Sequence, residues 1–159
     1  MIRLFNDSDL WDLVELSREQ AVPTYTDVYD REHHVDFCTK IITACNQWKR
    51  KNYGHGYWEN DELKAYLFAT SSSPYPWSGE VEAVVTFWYS KDSKSKAGMK
   101  LFAHFEKWAN EAVKANYIVL GSHDPLLHLE KDISKGLPQK WLDKKGYVSY
   151  NKSYRKRII

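Results

Sequence analysis

The passage that most constrains this chain runs from Glu80 to Gly121. Glu80 to Tyr89 is rich in β-branched and aromatic residues and reads as a strand, with Val81, Ala83, Val85 and Phe87 on one face and Glu82, Val84, Thr86 and Trp88 on the other. A lysine-rich loop, Ser90 to Gly98, follows it. Leu101, Phe102, Phe105, Trp108, Ala109 and Ala112 then recur at helical spacing, opposite Lys100, Glu106, Lys107 and Glu111. Tyr117 to Gly121 is a short apolar run of the kind that lies inside a sheet. Together these make a β-loop-α-β unit, which commits the chain to a sheet with helices packed on it.

The flanking sequence extends that unit at both ends. Ile2 to Phe5 alternates as a short strand, and Asn6-Asp7-Ser8-Asp9 is a dense helix-capping signal. Leu10, Leu13, Val14 and Ser17 mark one face of a first helix, which Pro23 is expected to stop. Phe37, Cys38, Ile41, Ile42, Cys45 and Trp48 mark a second, with Lys49-Arg50-Lys51 expected in its last turn. From Gly54 the period changes to two. A hairpin is expected from Gly56 to Glu59 and Leu63 to Thr70 about a turn at Asn60-Asp61, with Leu63, Ala65, Leu67 and Ala69 sharing a face. Ser71 to Gly79 holds two prolines and a serine run and reads as a loop. After Gly121, Pro138 and Gly146 bracket a short helix, and Tyr147 to Tyr150 with Ser153 to Ile159 read as a closing pair of strands. No repeat interrupts this order, and residues 1–159 read as a single domain.

Composition narrows the function classes. A formal net charge of +2 over 159 residues does not suit a surface devoted to nucleic acid or to acidic membranes. No run is apolar and long enough for a signal core or a membrane span, so a cytoplasmic location without membrane attachment is expected. Cys38 and Cys45 fall two turns apart on one helix, roughly 10 Å by the helical rise, which is too far for a disulfide. His34 and Cys38 share that helix, but no fourth ligand stands at a sensible spacing, so no metal is expected. Aromatic residues make up 15% of the chain, more than a core of this size needs, and the surplus points to a cleft or an interface.

Three passages carry a resemblance to a known family. They are Glu82 to Trp88 leading into the Ser93 to Gly98 loop, Leu101 to Ala112 followed by Tyr117 to Leu120, and Trp141-Leu142-Asp143-Lys144-Lys145-Gly146-Tyr147-Val148. With the element order, they make nearly the whole chain resemble the GNAT superfamily of N-acetyltransferases; the segment from Gly146 to Ile158 also resembles small phage-encoded members. The resemblance implies a GNAT-like α/β (α+β) fold: a mixed, mostly antiparallel sheet of six to seven strands with helices on both faces. It also implies acetyl transfer from acetyl-CoA to an amine on a small molecule or a protein, by direct attack in a ternary complex. The alternative is a GNAT-fold module that binds without catalysis, in a phage particle or against a host protein. A homodimer is compatible with either.

The family's coenzyme loop has the pattern Gln/Arg-x-x-Gly-x-Gly/Ala, and here its first, fourth and sixth positions fall on Ser93, Lys96 and Gly98. Only Gly98 matches. The physics of the site does not need the full pattern, because a helix N-terminus offers free N–H groups to a diphosphate and the loop is cationic. The resemblance therefore assigns the coenzyme to Ser93, Lys94, Lys96, Ala97, Gly98, Met99 and Lys100, with backbone groups of Phe87, Trp88 and Tyr89 at the acetyl carbonyl. Glu82, eleven residues before Ser93, takes the family's place for a catalytic glutamate. An acid among Val84, Thr86 and Trp88 is costly unless that face opens onto a cleft. The family's thiolate-protonating Tyr, four residues before the closing Gly, is Leu142 here, leaving Tyr147, Tyr150 or Tyr154 to substitute. His123, beside Asp124 at the end of the fifth strand, is a further acid or base candidate. Acceptor recognition is expected from Tyr25, Tyr29 and Trp77, with Tyr75, His33 and His34 in the same segments. The basic cluster Lys152, Arg155, Lys156 and Arg157 reads as a solvated final strand rather than a nucleic-acid surface.

Overall fold

The computed structural model describes residues 1–25, 28–91, 96–120 and 139–148, apart from the side chains of residues 22–25 and 139. Asn6 lies in extended backbone and its side chain accepts the Ser8 N–H, while Asp9 accepts the Asn6 N–H in return. That capping box turns strand β1 (Ile2–Leu4) through a short 3-10 turn into helix α1 (Leu10–Tyr25). The helix runs past Pro23 and ends two residues later, at Tyr25. Asp30 caps α2 (Arg31–Gln47) by accepting the His33 N–H. The basic residues Lys49 to Lys51 fall just beyond α2, in the turn that enters β2 (Asn52–Glu59).

Asn60 and Asp61 have φ of 53° and 61°, the paired positive values of a tight hairpin turn, and join β2 to β3 (Glu62–Ser72). Next come β4 (Glu82–Ser90), helix α3 (Ala97–Trp108) with one π-turn at Ala109–Val113, and β5 (Tyr117–Leu120). The strands form one five-stranded sheet in the order β1-β2-β3-β4-β5. Every pair is antiparallel except β4 with β5, which is parallel. This is the mixed, mostly antiparallel α+β architecture expected, although the described residues supply five strands rather than six or seven. The closing pair expected from residue 147 onward falls largely outside the described residues.

Helices cover both faces. Leu13 and Val14 of α1 with Cys38 and Ile42 of α2 bury against Phe5, Trp58 and Phe68 on one side. On the other, Leu101, Phe102 and Phe105 of α3 bury with Tyr53, Leu67 and Val85. Two bulges redistribute the strand side chains between these layers. Trp58 pairs with Leu63 and Tyr57 with Ala65, so Lys64 is an extra residue and Leu63 joins the α1–α2 core, away from Ala65. Likewise Phe68 pairs with Phe87 and Ala69 with Val85, which makes Thr86 the extra residue on β4. The expected alternation on β4 therefore holds to Val85 and inverts after it: Phe87 packs toward α2, and Trp88 stacks on Phe102 of α3 at 4.6 Å.

Three helical positions differ from the expected apolar faces. Trp48, which ends α2, and Phe37 within it are 59% and 42% exposed. Ala112 is exposed because the π-turn widens the helix and rotates it out of the stripe. Cys38 and Cys45 are buried free thiols, pushed up by burial to about 11 and about 12.

The chain falls into two compact units, Met1–Gly121 and Ser122–Ile159. In the second, helix α4 (Gln139–Lys144) ends at Gly146, whose φ of 81° suits only glycine. The Gly146 N–H donates to the Asp143 carbonyl and the Tyr147 N–H to that of Leu142, closing the helix end as the sequence predicts. Among the described residues no helix is long and apolar enough to cross a membrane.

Candidate functional site

Strands β4 and β5 pair from Glu82 with Tyr117 to Val85 with Leu120, and the described register goes no further. The Thr86 bulge comes next, fixed by its hydroxyl donating to the Phe68 carbonyl at 3.0 Å. The C-terminal half of β4, Phe87 to Ser90, thus continues beyond the described β5 pairing. Phe87 meets Phe37 of α2 edge to face, ring centroids 5.2 Å apart.

The start of α3 sits against this half-strand. A side-chain carbon built at Gly98 would lie 3.0 Å from Cβ of Ser90 and 3.4 Å from the indole nitrogen of Trp88. Glycine there lets the helix approach the strand, and a side chain at 98 would be aimed at the strand. Ala97 is buried as well, while Lys96, Met99 and Lys100 are exposed. Lys96 caps the helix without a side-chain hydrogen bond, and the first turn holds no acidic residue. The N–H groups of that turn and two exposed lysines therefore present positive potential. Lys100 lies over the Tyr57 ring, its Nζ 3.5 Å from the phenolic oxygen. This donor set suits a diphosphate.

On the α1–α2 face a cavity of about 520 Å³ is lined by Val28, Tyr29, Asp30, His33, His34 and Phe37, among others. A hollow of about 530 Å³ lies beside it on α2, lined by Arg31, Glu32, Val35 and Asp36, with no aromatic ring among these described residues. Phe37, which lines the first cavity, is the residue of it that touches Phe87 of β4. The rear wall of that cavity is a hydrogen-bonded chain. The Ser17 hydroxyl donates to the Leu13 carbonyl at 2.6 Å, so its oxygen accepts from Nε2–H of His34 at 2.8 Å. The remaining ring nitrogen, Nδ1, then accepts the Tyr29 hydroxyl proton at 2.9 Å. Burial holds His34 below the ordinary imidazole value, as do Arg31 and Arg18, against the pull of Glu15. Lys91 ties the end of β4 to α1 and to the β2–β3 hairpin, 3.4 Å from Glu19 and 3.3 Å from Glu62.

A second cluster lies under α3. The Tyr53 ring is fully buried, its hydroxyl is 2.8 Å from Nδ1 of His104, and His55 stacks on it at 4.2 Å. Burial, with the neighbouring His104, brings His55 down to about 4. Its Nδ1 is buried without a hydrogen-bond partner among the described residues.

The residues singled out from sequence distribute as follows. Phe87, Trp88, Tyr89, Lys96, Ala97, Gly98, Met99 and Lys100 come together at the end of β4 and the start of α3. Tyr29 lines the cavity over the C-terminal half of β4. Trp77 does not join it: its loop enters β4 at the opposite, N-terminal end, where Trp77 is 85% exposed and stacks on Tyr75. Glu82 is buried and shares the α1–α2 face with Phe87, but lies about 15 Å up the strand by its rise per residue. Ser93, Lys94 and His123 lie outside the described residues, as does the Tyr25 side chain. Sequence reasoning assigned Ser17 and Phe37 to apolar faces and missed them as site residues. The readable signal was a serine on a core stripe, which needs a polar partner.

No protein-family model matches the chain, and no curated protein sequence does. Solved structures match it along nearly its whole length. A possible acetyltransferase from Clostridium difficile 630 superposes with a TM-score of 0.67 at 18% identity, covering 100% of this chain and 97% of the other. A ribosomal-protein-alanine N-acetyltransferase from Brucella melitensis biovar Abortus 2308 gives 0.65 at 17% identity, covering 99% and 98%. AAC(6')-Iy, solved with the bisubstrate analogue CoA-S-monomethyl-acetylneamine, gives 0.68 at 15% identity, covering 99% and 97%. The fold is therefore the one these three structures share.

Proposed function

We propose that the protein is an acetyl-CoA-dependent N-acyltransferase acting on an amine. What carries the reading is one juxtaposition: the N-terminus of α3, with Lys96 and Lys100 exposed on it, sits against Trp88 and Ser90 in the C-terminal half of β4. The first turn of α3 with Lys96 and Lys100 would hold the coenzyme's phosphates, and backbone groups of Phe87 to Tyr89 would hold the acetyl carbonyl. The coenzyme supplies an acyl group activated as a thioester. The protein's own task is to orient an amine, exclude water and take up its proton. The cavity beside Phe37 is the acceptor site in this reading, and its rings suit the apolar part of an amine. Glu82 remains a candidate base that would act through intervening water.

Isothermal titration with acetyl-CoA and CoA tests the reading. Wild type should bind, and the double charge reversal Lys96→Glu with Lys100→Glu should weaken binding at least tenfold. An undiminished affinity would place the coenzyme elsewhere.

A second reading, a binding module that has lost turnover, is favoured by one observation: Ser93 and Lys96 occupy two of the three defining positions of the coenzyme loop. Coenzyme binding without thiol release over a broad amine panel would support it.

A further inference from the structure

In the acceptor reading Glu82 takes the amine proton only through intervening water, and the rear wall of the cavity offers another place for it. We propose that Tyr29 takes the proton from the acceptor amine while its own hydroxyl proton passes to Nδ1 of His34, a positioning residue that stores it. This rests on the acetyl-transfer reading and deepens it. The geometry is a directed chain: Tyr29 O–H to His34 Nδ1 at 2.9 Å, His34 Nε2–H to Ser17 Oγ at 2.8 Å, and Ser17 O–H to the Leu13 carbonyl at 2.6 Å. Because Ser17 spends its proton on a helix carbonyl, it fixes the tautomer that leaves Nδ1 basic. The two rings meet edge to face at 5.4 Å, and both line the cavity. An amine seated there reaches the Tyr29 oxygen, whose lone pair is free of the His34 bond.

The step balances. An ammonium loses two protons on becoming an amide: one is held at His34 and released to solvent, and the other leaves on the thiol. The nitrogen–carbon bond that forms replaces the thioester carbon–sulfur bond, and Tyr29 ends as it began. The groups facing His34 bias it toward accepting a proton only when one is offered. Arg31 from its own helix and Arg18 from α1 oppose its charge, and Glu15 from α1 favours it. Asp30, His33, Tyr29 and the un-ionised Cys38 thiol complete its titratable surroundings.

The test has two arms. Nitrogen NMR of the full chain reads His34 directly: the proton should sit on Nε2 at neutral pH, and the ring should titrate below free imidazole. A free-imidazole titration or the other tautomer overturns the relay. The second arm follows thiol release from acetyl-CoA with kanamycin, spermidine and an alanine-N-terminal peptide as probe amines. Tyr29→Phe and His34→Gln should each lower kcat/KM about a hundredfold with CoA affinity unchanged, and the double variant should be no worse than either single one. The acidic limb of the wild-type pH profile should vanish in His34→Gln. Near-UV circular dichroism establishes that each variant is folded, and Tyr29→Phe, which deletes one oxygen, stands in if His34→Gln is not. Failure of wild type to bind CoA removes the acetyl-transfer reading and the relay together. CoA binding with no amine-dependent thiol release from wild type removes acetyl transfer and the relay with it, leaving the binding-module reading, whereas wild-type thiol release with a fully active Tyr29→Phe removes the relay alone.

Discussion

Gly98 of α3 packs against Ser90 of β4: a side-chain carbon at 98 would lie 3.0 Å from the Ser90 Cβ. A glycine at the mouth of a coenzyme loop is readily taken as room for phosphate, yet this one makes room for the strand. Gly98→Leu should therefore act first on stability, at roughly 1–3 kcal/mol for overpacking, which lowers Tm by about 2–4 °C per kcal/mol. Differential scanning calorimetry without coenzyme checks it, and a Tm equal to wild type would show that the helix does not rest on Ser90.

The carboxylate of Asp9 accepts two hydrogen bonds of 2.7 Å from Arg3 and one from the Asn6 N–H while almost wholly buried. Burial opposes its charge, but the Arg3 bonds, the Asn6 N–H and the Arg3 charge outweigh it and hold Asp9 below the ordinary carboxylate range. A depressed acid stabilises the fold fully above the unfolded value of about 3.9, and the contribution drains away as pH falls below that. Asp9→Asn should cost about 1.5–3 kcal/mol in urea at pH 7, and the gap to wild type should narrow toward pH 3.

His55 has the opposite charge logic. Its folded value of about 4 lies below the unfolded 6.5, so between those limits the unfolded chain binds a proton that the native one refuses. Stability should fall as pH drops through this window, by at most about 1.4 kcal/mol per pH unit from this residue. His55→Phe keeps a ring to stack on Tyr53 and removes the titration. Its urea midpoints at pH 7 and pH 5 should lie closer together than those of wild type, and an unchanged difference would acquit His55.

What the sequence revealed and what it concealed divide along physical lines. Asn6, Asn60-Asp61 and Gly146 announce their turns because each supplies local chemistry that the backbone needs within a few residues. The α3 stripe was legible for the same reason, up to the π-turn that exposes Ala112. The two bulges were not, since counting by twos cannot register one extra residue, and Thr86 therefore sent Phe87 and Trp88 to the wrong layers. The rear wall of the cavity was equally hidden: Ser17 meets His34 only because α1 packs on α2. The length of β4 also separates Trp77, whose loop enters the strand at its N-terminal end, from Tyr29, although both sit in aromatic-rich connections.

Thr86 is where that concealed geometry becomes measurable. Its hydroxyl bond to the Phe68 carbonyl holds the bulge that turns Phe87 toward Phe37 and so puts a ring from β4 beside the cavity. Thr86→Val keeps the shape and removes one hydrogen bond, for an expected cost of about 1 kcal/mol. Deleting Thr86 altogether would restore plain alternation and drive Phe87 into the α3 layer, where Trp88 now stacks on Phe102. The deletion should lower stability far more than the substitution and abolish amine-dependent thiol release. Comparable unfolding midpoints for the two variants would show that β4 tolerates either register, and that the bulge does not hold the cavity's wall.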